Sequence, residues 1–126
     1  MGCGKKISKD ELHLLNGYWQ ITEVELKSGD KKEYTLGSSV DFIHLEGLKG
    51  YRKKVQPNIL GGFETSDDAQ NFKVVAANET IIFSYQNSLS KWSENLVQLD
   101  HNSFMVIDEE GTKYIYKRYE PIKLEE

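Results

Sequence analysis

At Asn16-Gly17-Tyr18-Trp19-Gln20-Ile21-Thr22-Glu23-Val24-Glu25-Leu26 the chain changes its hydrophobic period, and that change decides the fold. Ahead of it, Ser8-Lys9-Asp10-Glu11 has the form of a capping box. In such a box the Ser8 hydroxyl accepts from the Glu11 N–H, and the Glu11 carboxylate reaches back to the Ser8 N–H. Leu12, Leu14 and Leu15 follow, then Asn16-Gly17, a helix stop. One or two turns of helix are predicted there, too short to stand without docking on something. Behind it the period is two. Trp19 and Ile21 share one parity, Val24 and Leu26 the other, so a β-bulge or sharp bend is expected near Thr22-Glu23.

Further along, the same period recurs between turns. Ser28-Gly29-Asp30 turns, and Lys31 to Leu36 alternates. Val40 to Leu45 reads as a strand. Gly47-Leu48-Lys49-Gly50 turns into Tyr51 to Val55, which Pro57 ends because it cannot donate to a ladder. A short strand is expected around Phe63 after Gly61-Gly62, with a turn at Thr65-Ser66-Asp67-Asp68. Strands then centre on Phe72 and Val74, on Ile81, Phe83 and Tyr85, on Trp92 to Leu99, on Phe104 and Val106, and on Tyr114, Tyr116 and Arg118. About eight to ten short strands with turns every ~8–12 residues indicate a sandwich or barrel. Hairpin-length connections favour up-and-down order, and an up-and-down sheet of this size loses its exposed edges by closing. The expected fold is all-β: an antiparallel up-and-down barrel with a short N-terminal helix. Residues 1–15 form the tether and helix, 16–120 the barrel and 121–126 a charged tail.

The 126 residues suit one domain. A formal net charge of −4 argues against a sequence-independent grip on nucleic acid, which needs a basic face, so no nucleic-acid partner is expected. No apolar run approaches the roughly 18 residues that a spanning helix needs. The single cysteine, Cys3, excludes an internal disulfide, and its place near the start of the chain argues against a catalytic thiol.

Gly17-Tyr18-Trp19 resembles the Gly-x-Trp motif that opens the lipocalins and the wider calycin group, after a short helix and at the start of the first strand. Those families carry an arginine on the final strand that packs over this tryptophan. Arg118, one of only two arginines here, matches it. The resemblance covers residues 8–120 and is closest to small lipocalin-like lipoproteins of bacterial envelopes. It implies that Gly17, Trp19 and Arg118 close one end of the barrel. A guanidinium over an indole gains on the order of 1–2 kcal/mol when partly desolvated, and its donors can bond nearby carbonyls. Gly2-Cys3 resembles the end of a bacterial lipoprotein signal, which implies a lipid on Cys3 as the first residue after cleavage. The implied location is the bacterial cell envelope, on its periplasmic or surface face, with the membrane as partner through that anchor.

Candidate chemistry is sparse. His13, His44 and His101 lack metal-type spacing, and no metal or cofactor is expected. Asp67-Asp68 and Glu109-Glu110 read as solvated turn acids. No acid, base and nucleophile set appears, so the chain is not expected to be an enzyme. Within Lys49-Gly50-Tyr51-Arg52-Lys53-Lys54, Arg52 and Lys54 are candidates for an anion-facing rim, against a solvated strand face. Phe63, Phe72, Phe83, Tyr85, Trp92, Phe104, Tyr114 and Tyr116 are candidates to line an apolar pocket, against filling the interior. The expected function is binding of a small hydrophobic or amphipathic ligand by a monomeric barrel. The alternative is a solid-core module that binds a protein or glycan partner through loops or outer strand faces.

Overall fold

The computed structural model describes residues 7–34, 40–57, 63–77 and 80–119. Cys3, and the side chain of Phe63, lie outside what is described. Nine strands run in chain order among these residues: β1 (Gly17–Glu25), β2 (Lys31–Glu33), β3 (Val40–Glu46), β4 (Lys49–Pro57), β5 (Phe63–Ala77), β6 (Thr80–Gln86), β7 (Lys91–Leu99), β8 (Ser103–Asp108) and β9 (Lys113–Arg118). Every pairing is antiparallel, and neighbours in sequence are neighbours in space from β3 to β9. β1 pairs with β3 on one edge and β9 on the other, which closes an eight-stranded barrel. The short β2 lies against the last residues of β1.

The register of β1 against β9 shifts between Ile21 and Glu23, at the expected bulge. The turn expected at Thr65-Ser66-Asp67-Asp68 does not form; β5 runs unbroken through it. Val55 faces Thr65 and Lys53 faces Ala69, so three residues of β5 answer one of β4. The polar run that reads as a turn is spent as a bulge in a long, bending strand.

One end of the barrel is a floor. Lys9–Leu15 is a tight 3-10 helix, and Glu11 in its first turn accepts from the N–H of the capping Ser8 at 3.0 Å. Leu12 and Leu15 drop into the interior, where they join a packed layer that includes Trp19, Ile43, Phe72, Phe83 and Phe104. Trp19 is fully buried, donates its indole N–H to the Leu15 carbonyl at 2.8 Å, and meets Phe104 edge-on. Arg118 lies over the Trp19 ring, its guanidinium carbon 4.1 Å from the centroid. It donates to the carbonyls of His101, Asn16 and Leu14 at 2.7, 3.0 and 2.7 Å. One side chain thus ties the helix end and the β7–β8 turn to the last strand. Gly17 makes room for it. Its φ is +128°, and a Cβ there would fall 2.7 Å from the Arg118 guanidinium.

Candidate functional site

The other end of the barrel is open and polar. Alternation on β3 turns Ile43 and Leu45 inward, and with them Asp41. On β4 the same rule turns Arg52 inward beside Gly50. On β7 it turns Glu94 inward between Trp92 and Leu96. Three charges from three strands therefore meet above the apolar floor.

Arg52 is the centre of this layer. It donates to Asp41 Oδ2 at 2.6 Å, to the Tyr85 hydroxyl at 2.9 Å and to the Tyr116 hydroxyl at 3.1 Å. Glu94 Oε1 stands 3.9 Å away and accepts from the Tyr85 hydroxyl at 3.2 Å. The Arg52, Asp41 and Glu94 side chains are 13%, 11% and 14% exposed, so these are interior charges. Asp41 Oδ1 is buried and receives no hydrogen bond; the Lys54 ammonium, on an exposed side chain, is 3.5 Å from it. Interior charges persist only when paired and hydrogen-bonded, and this layer meets most of that demand internally.

The environment sets the protonation states. Burial opposes the Arg52 charge, but its interactions with Tyr116, Tyr85, Asp41 and Glu94 outweigh that and raise its pKa well above the ordinary value. Burial pushes the Glu94 carboxyl above its ordinary range, against the pull of Arg52 and the Tyr85 hydrogen bond. Burial likewise raises the Tyr85 and Tyr116 phenols, with Arg52 pulling the other way. Tyr114 is pushed up to about 12 by burial and by its hydrogen bond to Asp108 at 3.1 Å. At neutral pH the phenols are protonated: Tyr85 donates to Glu94 and Tyr114 to Asp108, while Tyr116 accepts from Arg52.

Above this layer lies a cavity of about 340 Å³, lined by Asp41, Arg52, Lys54, Gln70, Tyr85, Trp92, Glu94, Tyr114 and Tyr116, with Lys53 at its edge. Tyr85 and Trp92 stack face to face at 5.4 Å and form one wall. Among the residues singled out in the sequence, Tyr85, Trp92, Tyr114, Tyr116, Arg52 and Lys54 are brought together here. Phe72, Phe83 and Phe104 are not; they are 4%, 1% and 0% exposed in the packed layer below. Gly17, Trp19 and Arg118 stand at the floor. His44 points outward, with its ring 5.4 Å from that of Tyr51. Among the described residues no three His, Cys, Asp or Glu side chains converge as metal ligands, and no helix is long and apolar enough to cross a membrane.

The sequence reading passed over Asp41 and Glu94. The signal was parity: each is an acid at a position whose neighbours two residues away, Ile43 for Asp41 and Trp92 and Leu96 for Glu94, are large and apolar.

No family model and no curated protein matches the sequence. Solved structures do match. A lipocalin-like protein from Bacteroides uniformis aligns with a TM-score of 0.53 at 15% identity, over 84% of this chain and 99% of that one. Apocrustacyanin C2 aligns at 0.51 and 15% identity, over 92% and 72%. Lobster apocrustacyanin A1 aligns at 0.50 and 15%, again over 92% and 72%. The likeness is one of fold, a lipocalin-like barrel.

Proposed function

Taking the lipocalin-like barrel as premise, we propose that this protein binds a small amphipathic molecule in the cavity at its open end. The observation that carries this is the layering of the interior. An apolar body finds Tyr85, Trp92 and Tyr114, and a polar end finds the Arg52, Asp41 and Glu94 layer beneath. A cavity of about 340 Å³ is at the small end for ligand sites, which span roughly 300–1,000 Å³. The apolar layer below is filled, so the ligand is short and stops at the charges instead of passing into an oily cup. Binding is burial of apolar area plus orientation by a few fixed polar groups.

The chain holds two tryptophans, and they report on different ends: Trp92 lines the cavity, while Trp19 is sealed in the floor. Titration with 1-anilinonaphthalene-8-sulfonate, an amphipathic probe, is expected to quench Trp92 and to lose that response in Trp92→Phe. Gln70→Trp, which fills the cavity from β5, should abolish saturable binding. Probe binding that survives Gln70→Trp unchanged would overturn the proposal.

The monomeric state, the envelope location and the anchor belong to the same proposal. Gly2-Cys3 and the polar residues 4–7 support a lipid on Cys3. Several acyl chains hold a protein firmly where one does not. Intact-mass spectrometry of the protein from its own host tests this, and an unmodified Cys3 would end it.

A further inference from the structure

We propose that the outer wall of β4 to β7 is a second binding site, a groove for an acidic polysaccharide whose sugars carry carboxylate or sulfate groups. The groove encloses about 460 Å³ and shares no lining residue with the internal cavity. Lys49, Lys73 and Lys91 line it together with Asn71, Ser84 and Gln86, with Gly50 and Phe72 between them. Its donors are three ammonium groups, two side-chain amides and a hydroxyl, and among the described residues no carboxylate lines it.

The arrangement is unfavourable for the protein alone. Lys49 and Lys73 face each other directly across β4 and β5. Like charges in that position repel and weaken the sheet. The chain is acidic, with 20 Asp and Glu against 16 Lys and Arg, so carboxylates to neutralise them are plentiful. Even so, among the described residues none of these three lysines forms an ion pair, whereas Lys31 pairs with Glu23 at 3.8 Å and Lys54 with Asp41 at 3.5 Å. Glu46, across from Lys49 on β3, holds its carboxylate 3.8 Å from His44. A bound polyanion relieves the repulsion that the fold leaves in place.

Two features select a sugar chain. Tyr51, across from Asn71, continues the same outer face, flanked by the rings of His44 and Phe42 at 5.4 and 6.2 Å and with the Lys53 ammonium 5.8 Å from its centroid. A half-buried ring with an ammonium beside it suits a sugar ring that carries an acidic group, the ring taking the apolar face and the ammonium the charge. The site is also a groove along a curved wall, which admits a slender chain and keeps a flat bilayer at its rim.

The test is calorimetric titration with oligogalacturonate, with a neutral dextran oligosaccharide and phosphatidylglycerol vesicles as separate arms. Saturable binding of oligogalacturonate alone is expected, weakening as salt rises. Lys49→Gln with Lys73→Gln should weaken it at least about tenfold. The same double variant should melt no lower than the parent, because a repulsive pair is gone. Lys117→Gln, at an exposed position of β9, should leave affinity unchanged. Equal binding of the neutral oligosaccharide, binding to vesicles alone, unaltered affinity in the double variant, or an equal loss in Lys117→Gln would each overturn the proposal.

Discussion

Arg118 and Arg52, the only arginines in the chain, stand at opposite ends of one barrel and are held by different chemistry. Arg118 is caged by an indole face and three backbone carbonyls. Those acceptors neither titrate nor rotate away. Arg52 is caged by side chains: two carboxylates and two phenols. Those partners are side chains, and they face a cavity. The same guanidinium is a fixed fastener in the first setting and the core of a responsive layer in the second. The partners decide which.

The comparison can be broken in order of expected effect. Arg52→Ala should cost the most, about 3–5 kcal/mol at pH 8 by urea unfolding, because it strands two interior carboxylates. Its penalty should shrink in acid as Glu94 takes up a proton, and a penalty that is flat with pH would mean that Arg52 acts by packing alone. Arg118→Ala should cost about 2–4 kcal/mol from lost charge-assisted bonds and the ring contact. That loss should vary less between pH 5 and pH 8 than the Arg52→Ala loss does. Arg118→Lys should recover little of it, since a point charge cannot serve three carbonyls as a planar fork does. Gly17→Ala comes next, at about 1–3 kcal/mol, from a positive φ and a clash with the Arg118 guanidinium. Made together with Arg118→Ala it should cost less than the sum, because the clash is gone.

Glu94→Gln is the smallest and carries a sign. Burial raises the Glu94 pKa in the folded state above its ordinary 4.5. Its favourable contribution is therefore complete below the unfolded value and is lost as pH rises through the folded one. Thermal melts from pH 4 to 8 should show that downward slope in the parent and a flatter one in Glu94→Gln. Equal slopes would place the titration elsewhere.

The fold was largely legible because a barrel of hairpins declares itself by parity. Trp19, Ile21 and the bulge at Thr22 follow from a two-residue period and one slip in it. Thr65-Ser66-Asp67-Asp68 did not declare itself, since a run of small polar residues serves a turn and a bulge equally well; the partner strand decides. The site was legible by halves. The aromatics and Arg52 stand out by type, but whether a ring fills or lines a barrel depends on its height above the floor. Phe83 and Tyr85, two residues apart on β6, fall on different sides of that divide. Asp41 and Glu94 were hidden because a lone acid in a strand reads as solvent-facing until its neighbours are counted two by two.

The β1–β9 pairing has a kinetic meaning. From β3 to β9 each strand meets the one just made, a short loop away. Among the strand pairings of the described residues, the seam alone joins distant parts of the chain, with Arg118 reaching Asn16 across 102 residues of sequence. Closing so long a loop is entropically costly before its contacts reward it. A ribbon that zips quickly and then waits to be clasped is the expected course of folding. The clasp is Arg118 on Trp19, so the slowest step should be visible in the fluorescence of that one buried indole.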